Sequence, residues 1–385
     1  MNRVLISSLP GELRLARLVD GRLAELRVER GRGGGEAGDL HMGRIKRLDR
    51  SQKAAFCDIG LGQDGFLPLD EAPKSLSEGD LLPLQVRRAA SEGKGPKLSL
   101  FRGQMPPGLE RQGAPCLLLR ADDPVLALKE GEAPEEILLD DPALLRRLQR
   151  LLGEGQAALA DRLKLYSGLV PLFEAEGLEP EVEALLQPEV PLPGGGRLWI
   201  ETTRALVAVD VDRGKAASAR AVNLEAAREI ARQLRLRQLS GLIVIDFLDP
   251  EGPEPRKELR GAFEAALAGD PAASELQRLG GNGVLMMTRQ RLRPALHERL
   301  CEPGQAWRPS AGTQAFTALR AALAAGLGNP GKRVRLEAAP EVLRALEGEA
   351  AEALAAVEQR LGAPLERREA GALPGGDRGF ELVIE

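Results

Sequence analysis

The 385-residue sequence predicts a multidomain α/β (α+β) chain. Three observations carry this reading: the length, an opening run of alternating strands, and a later strand, helix, strand unit. A single hydrophobic core stops growing beyond roughly 250 to 300 residues, so two to four compact units are expected. Residues 3–8 and 12–29 alternate apolar and polar positions about Asp20-Gly21, a dipeptide suited to a two-residue hairpin turn. Arg197 to Asp212 reads as a second hairpin after the Gly194-Gly195-Gly196 turn. A helix from Asn223 to about Leu239 and the apolar strand Leu242 to Phe247 follow it.

After a glycine-rich basic stretch, Arg30 to Gly38, short strands at His41 to Leu48, Lys53 to Asp58, Gly65 to Pro68 and Asp80 to Arg88 suit a small antiparallel barrel such as an OB-fold. Gly103 to Asp123 is poor in periodicity and rich in Gly and Pro, and reads as a linker. Leu144, Leu145, Leu148, Leu151 and Leu152 recur at helical spacing behind Asp140 and Asp141, placing a helix between Asp141 and Leu165. Strand Arg333 to Leu336, helix Pro340 to Leu361 and strand Phe380 to Ile384 form a small C-terminal α/β module; residues 304–331 before it, Ala/Gly-rich from 311 onward, are expected to be a linker.

Hydrophobic residues at 43% and charged residues at 29% supply real cores and exclude wholesale disorder. No apolar run approaches the roughly 18 residues of a membrane helix and the N-terminus lacks a signal-peptide pattern, so the expected location is the cytoplasm, away from membranes. Cys57, Cys116 and Cys301 are widely spaced and form no Cys-x-x-Cys pair, which suggests neither a disulfide framework nor a zinc knuckle. The net charge of -4 is weak evidence against a nucleic-acid partner, because phosphate affinity follows where Lys and Arg cluster. With aromatics at 3%, any base stacking rests on a few phenylalanines.

The chemistry concentrates in carboxylates. In Leu206-Val-Ala-Val-Asp-Val-Asp212 the valines share one strand face while Ala208, Asp210 and Asp212 share the other. Beyond Gly241 the run Leu-Ile-Val-Ile ends in Asp246, and an acid closing a buried strand is costly unless it meets water, a metal or a cation. If the two strands lie side by side, Asp210 and Asp246 both reach one ion. Magnesium suits such a pair, since it binds through one or two carboxylates, keeps several waters and accepts phosphate oxygens, which makes a phosphodiester the natural substrate. Asp212 can orient the attacking water. The plainer alternative is that acids at strand ends simply face solvent.

The stretch Ala226 to Asp249, with its Arg-Gln-Leu-Arg-Leu-Arg-Gln-Leu-Ser-Gly-Leu-Ile-Val-Ile-Asp-Phe run, resembles the ribonuclease E/G family. Further matches are Ala54-Ala55-Phe56-Cys57-Asp58-Ile59-Gly60, Gly65-Phe66-Leu67-Pro68, Lys164-Leu165-Tyr166-Ser167-Gly168 and Met287-Thr288-Arg289-Gln290-Arg291. The resemblance covers most of residues 1–303. It implies an S1-type OB barrel (36–101) inserted in a ribonuclease H-like unit (1–35 plus 127–187), a remnant 5'-sensor linker (102–126) and a deoxyribonuclease I-like catalytic region (188–303). Residues 304–331 and 332–385 remain the linker and the small C-terminal domain. By motif position Asp210 and Asp246 take the magnesium-ligand roles, Asn223 falls on a matching supporting asparagine, and Asp212 stands where many members carry Asn. Phe56 and Phe66 match barrel aromatics that grip a base of single-stranded RNA, and Lys94 matches a basic RNA contact. The plainer reading puts both phenylalanines in the core and leaves Lys94 as a solvated loop charge. Arg289 and Arg291, with Arg293, form a basic cluster that can hold phosphates or serve as a salt-bridged face.

The chain also departs from that family. No Arg-Thr pair occurs between Gly103 and Leu126, where the family carries its 5'-monophosphate sensor. Cys301-Glu302-Pro303-Gly304 replaces the family's Cys-Pro-x-Cys zinc link, so no zinc is expected and a homodimer, if formed, rests on protein contacts. His41 and His297 match no role. The sequence thus predicts a magnesium-dependent endoribonuclease of RNA processing or decay, leaving 5'-phosphate and 3'-hydroxyl ends. Its alternative is a non-catalytic RNA-binding protein of the same descent.

Overall fold

The computed structural model describes residues 2–30, 35, 38–88, 90, 95–103, 115–121, 123–128, 132–153, 156–302, 305–370 and 379–384. Two compact units divide the chain, Met1–Arg30 with Tyr166–Glu385, and Gly31–Leu165. The first opens with an antiparallel meander of β1 (Asn2–Leu9), β2 (Glu12–Val19) and β3 (Arg22–Arg30). Asp20 and Gly21 have φ of 50° and 76°, the positive pair that a type I′ turn requires, so the hairpin bends at the dipeptide expected.

In the second unit β4 (Leu40–Asp49), β5 (Ala54–Asp58), β6 (Gly65–Pro68), β7 (Leu81–Arg88) and β8 (Lys97–Leu100) close into a five-stranded barrel. The order β4-β5-β6-β8-β7 returns to β4, with β6 and β8 as parallel neighbours. Alternate residues Ile45, Ala55, Cys57, Leu67, Leu84, Val86 and Leu98 point inward and fill it. Of the strands, β8 was not picked out in the sequence, where four residues beside Gly95-Pro96 leave too short a period to see. The segment expected as a linker likewise supplies β9 (Cys116–Leu119), an apolar run that extends the sheet against β4. The unit continues through α1 (Pro124–Ala127), β10 (Glu136–Leu139), α2 (Pro142–Leu152), α3 (Ala157–Ala160) and β11 (Leu163–Leu165), which runs parallel to β10. Asp141 caps α2 by accepting from the Ala143 and Leu144 amides, as its place ahead of the leucine pattern implied.

The first unit resumes with α4 (Leu172–Ala175), α5 (Glu179–Ala184), β12 (Glu189–Pro191), β13 (Arg197–Thr202), β14 (Val207–Asp212), α6 (Ala219–Leu236), β15 (Gly241–Asp246), α7 (Pro253–Leu267), β16 (Ser274–Leu276) and β17 (Val284–Arg289). These strands form one sheet in the order β12-β13-β14-β15-β17-β16, with β14 and β15 parallel and the other pairs antiparallel. The parallel pair needs a crossover, which α6 provides. That helix begins a turn earlier than the expected Asn223, because Ser218 caps it with its hydroxyl on the Ala221 amide at 3.2 Å. Val222, Ala226, Ile230 and Leu234 of α6, with Leu259 and Phe263 of α7, pack in one core with Leu198, Ile200, Val209, Val211, Ile243 and Ile245. One face of the sheet is thus covered. The residues between them point to the other face.

Beyond β17 lie α8 (Leu296–Leu300), β18 (Cys301–Glu302), β19 (Gln305–Pro309), α9 (Ala311–Gly328), β20 (Val334–Ala338), α10 (Pro340–Glu347), α11 (Ala351–Leu361), β21 (Glu366–Glu369) and β22 (Phe380–Ile384). The expected helix from Pro340 to Leu361 breaks at Gly348, whose φ of -106° and ψ of -105° leave the helical region. Most of the supposed linker 304–331 is the helix α9. Alanine is the best helix former, yet its small side chains blur the contrast between faces, so the buried Phe316, Leu319 and Leu323 were not read as a stripe. Among the described residues no helix is long and apolar enough to cross a membrane.

Glu12 fastens α9 to the meander. Its buried carboxylate accepts from Arg14 Nε at 3.0 Å, Arg30 Nε at 2.9 Å and Arg320 Nη1 at 2.5 Å. Arg14 continues to Glu179 at 2.9 Å, and Arg30 reaches the Thr313 hydroxyl at 2.9 Å while lying over the Phe316 ring. Burial alone would raise the Glu12 carboxyl, but Arg320, Arg14 and Arg30 overcome it and hold it at about 2, below the ordinary 4.5. A depressed folded-state pKa contributes stability that is present above pH 4.5 and is lost as pH falls toward 2. Glu12→Gln strands buried guanidiniums and should lower the unfolding free energy of this unit by about 3 to 5 kcal/mol in urea titrations at neutral pH. The gap from wild type should close as acid protonates Glu12.

Candidate active site

The register of β14 against β15 places Val209 opposite Ile245 and Asp210 opposite Asp246. Partners on adjacent strands share a face, and the strands lie about 4.8 Å apart. Both aspartates are exposed while Val209, Val211 and Ile245 are buried, so the carboxylates stand side by side at the strand ends on the uncovered face. Burial raises the Asp210 carboxyl, and the negative charges of Asp246 and then Asp212 raise it further. An acid with a raised folded-state pKa disfavours the folded form once ionised, so this pair is a local cost that a cation removes.

Asp212 projects from the same strand face, yet its oxygens are engaged. Oδ1 accepts from the Gly214 amide at 2.8 Å and Oδ2 from Arg197 Nε at 2.9 Å. The amide hydrogen bond, then the Arg197 guanidinium, hold its carboxyl below the usual range. Asn223 is buried inside α6, where Nδ2 donates to the Leu248 carbonyl at 2.7 Å and Oδ1 accepts the Leu248 amide at 3.0 Å. It therefore pins the chain two residues past Asp246 to the crossover helix, which keeps the strand end in place.

Two of the three arginines of the expected basic cluster, Arg289 and Arg291, part company. Arg289 is buried, with Nε and Nη2 each 2.8 Å from Asp270 and Nη1 donating to the Leu239 carbonyl at 2.6 Å. Its fork is consumed inside the fold, which corrects the reading of it as a phosphate contact. Arg291 is exposed and meets Glu298 at 2.6 Å, so it keeps donors at the surface.

In the barrel, Phe56 and Phe66 are cross-strand partners, half-buried rather than core, and meet edge to face at 6.2 Å and 81°. The Arg47 guanidinium lies 4.4 Å from the Phe56 ring centre. The expected partner Lys94 lies outside the described residues. His41 and His297 belong to different units; burial lowers both below the usual imidazole range.

One residue was missed. Trp199 of β13 is the direct partner of Asp210 and is 37% exposed. The signal was present, since Arg197, Trp199 and Glu201 alternate with the buried Leu198 and Ile200.

Asp210 and Asp246 are register partners whose carboxylates could face one cation. Among the described residues no group of three or more His, Cys, Asp or Glu side chains gathers to hold one, so this is a pair of carboxylates and not a closed cage. Two like charges forced together on an open face suit a hard ion that completes its shell with water and phosphate oxygens. The arrangement excludes a tetrahedral nitrogen-and-sulfur site.

A family model described as the Ribonuclease E/G family matches residues 108–292, a span that contains both aspartates. Ribonuclease E of Escherichia coli is 29% identical over 399 aligned residues, covering 77% of this chain and 38% of the relative. Ribonuclease E of Haemophilus influenzae is also 29% identical, over 77% of this chain and 42% of its own length. Ribonuclease G of Salmonella typhimurium is 26% identical over 92% of this chain and 94% of its own length. The chain thus spans about two fifths of the ribonuclease E relatives and nearly all of ribonuclease G. The chain is thus similar to the ribonuclease E/G family model over residues 108–292 and to ribonucleases E and G over most of its length.

Two contrasts check the assignments made from geometry. Arg289→Ala leaves Asp270 buried and unpaired and should cost about 3 to 5 kcal/mol of stability in a denaturant titration, whereas Arg291→Ala should stay within about 0.5 kcal/mol of wild type. Without metal, Asp246→Asn should raise the melting temperature slightly at neutral pH by relieving Asp210. That gain should fade as pH falls through the Asp210 titration, followed by calorimetry.

Proposed function

We propose that this chain is a magnesium-dependent endoribonuclease that cuts single-stranded RNA to 5'-phosphate and 3'-hydroxyl ends. The observation that carries the proposal is the Asp210–Asp246 register pair on an open sheet face, inside the span that matches the family. A long polymer cannot be enclosed, and an uncovered face admits it at any internal bond. Asp210 and Asp246 would hold the ion. A magnesium ion held there would supply positive charge to the scissile phosphate and activate water for attack.

The protein's own contribution is placement. Asn223 fixes the end of β15 through Leu248, and Asp212 secures Arg197 and the loop at Gly214, so we read it as a positioning residue rather than the one that orients water. Exposed Arg213 and Lys215 in that loop add positive charge beside the strand end. In this reading the barrel is the S1-type OB-fold of residues 36–101, an assignment its strand order supports. Phe56 and Phe66 then offer ring surface to an unpaired base. Residues 1–35 with 127–187 correspond to the ribonuclease H-like unit and 188–303 to the deoxyribonuclease I-like region.

The test is cleavage of a fluorescent single-stranded oligoribonucleotide with and without magnesium. Asp246→Asn should reduce kcat by roughly 100-fold or more with secondary structure intact. Phe56→Ala should raise KM with a loss of about 1 to 3 kcal/mol. RNA binding with no cleavage by wild type at any magnesium concentration would instead establish a non-catalytic RNA-binding protein.

A further inference from the structure

The sheet that carries the acids places one more group in their row. Read across the strands, Glu189, Trp199, Asp210, Asp246 and Val284 are successive register partners on β12, β13, β14, β15 and β17. Partners share a face, so the Trp199 indole rises beside Asp210, one strand spacing away, and about 10 Å from Asp246.

We propose that Trp199 is a base-stacking platform that seats one nucleotide of the RNA beside the acidic pair. The inference rests on the nuclease reading and extends it to a subsite. A single exposed apolar side chain on a surface is ordinary, and its position is what sets this one apart. Around it the same face carries Ala208 and Val244, which are small, and Glu201, Asp210 and Asp246, which are charged. Trp199 is the large flat apolar surface in that row, within one nucleotide's reach of where the phosphate must lie.

It is also rigid. Leu198 and Ile200 on either side of it are fully buried, and β13 is hydrogen-bonded to β12 on one side and β14 on the other. At one end of the strand Arg197 bridges Asp212 and Glu189 at 2.9 and 3.4 Å. A platform on a strand held in this way needs no backbone rearrangement when a base settles on it. Stacking is tolerant of sequence because every base has a π face, and the larger overlap of a purine gives a preference for purine over pyrimidine at this one position.

Indole fluorescence reports the contact directly. The chain has two tryptophans, so Trp307→Phe leaves Trp199 as the sole reporter. With calcium replacing magnesium, titration with a short single-stranded oligoribonucleotide should quench and saturate that signal. In magnesium, Trp199→Ala should raise KM about 10-fold at unchanged kcat, and Trp199→Phe should recover most of the loss. An abasic residue at one position next to the cleaved bond should cost the wild-type enzyme the same factor and cost Trp199→Ala nothing further, which identifies the stacked nucleotide. If RNA is bound and cut but fluorescence and KM do not respond, the platform is wrong and the nuclease reading stands. If wild type neither binds nor cuts RNA, the nuclease reading fails and the platform falls with it.

Discussion

The parallel register of β14 on β15 is the constraint on which the candidate site depends. Side chains alternate along a strand, so a slip of one residue would turn Asp210 inward and bring a valine out beside Asp246. The register holds because Val209, Val211, Ile243 and Ile245 must all lie beneath α6 and α7. A set of apolar contacts on one face therefore fixes the separation of two charges on the other. The burial and the charge repulsion that raise the Asp210 carboxyl are tolerated because moving either acid would expose those side chains.

Support for the strand ends comes from polar groups held by hydrogen bonds within the fold. Asn223 spends both ends of its amide on Leu248, Arg289 spends its fork on Asp270 and Leu239, and Asp212 closes on Arg197 and Gly214. These satisfied polar groups locate the loops that leave the sheet. Among the described residues, Asp210 and Asp246 form no ion pair of the kind that Asp212 makes with Arg197 or Asp270 with Arg289.

Much of this was readable from the residues. Asp20-Gly21 announced its turn through the φ values it tolerates, and the alternation Val-Ala-Val-Asp-Val-Asp announced which face the acids take. Pairing was harder, because nothing local in β14 specifies which residue of β15 lies opposite after an 18-residue crossover helix. Arg289 shows a second limit, since its neighbour Arg291 has the same chemistry and only tertiary contact with Asp270 separates their roles. The helix α9 escaped notice because alanines fill both its faces, and Trp199 because its period-two position was read only for the aliphatic side chains. In the barrel, burial odds put Phe56 and Phe66 in the core, whereas the inward positions were already filled by Ile45, Cys57, Leu67 and Leu98.

The desolvation of the Glu12 cluster has a practical corollary. Mobile ions screen charges they can surround, with a Debye length near 3 Å at about 1 M salt, and they do not enter a site walled off from water. Concentrated salt should leave the α9 attachment intact while it strips polyanions from surface arginines and lysines. A high-ionic-strength wash should therefore leave this part of the fold unperturbed.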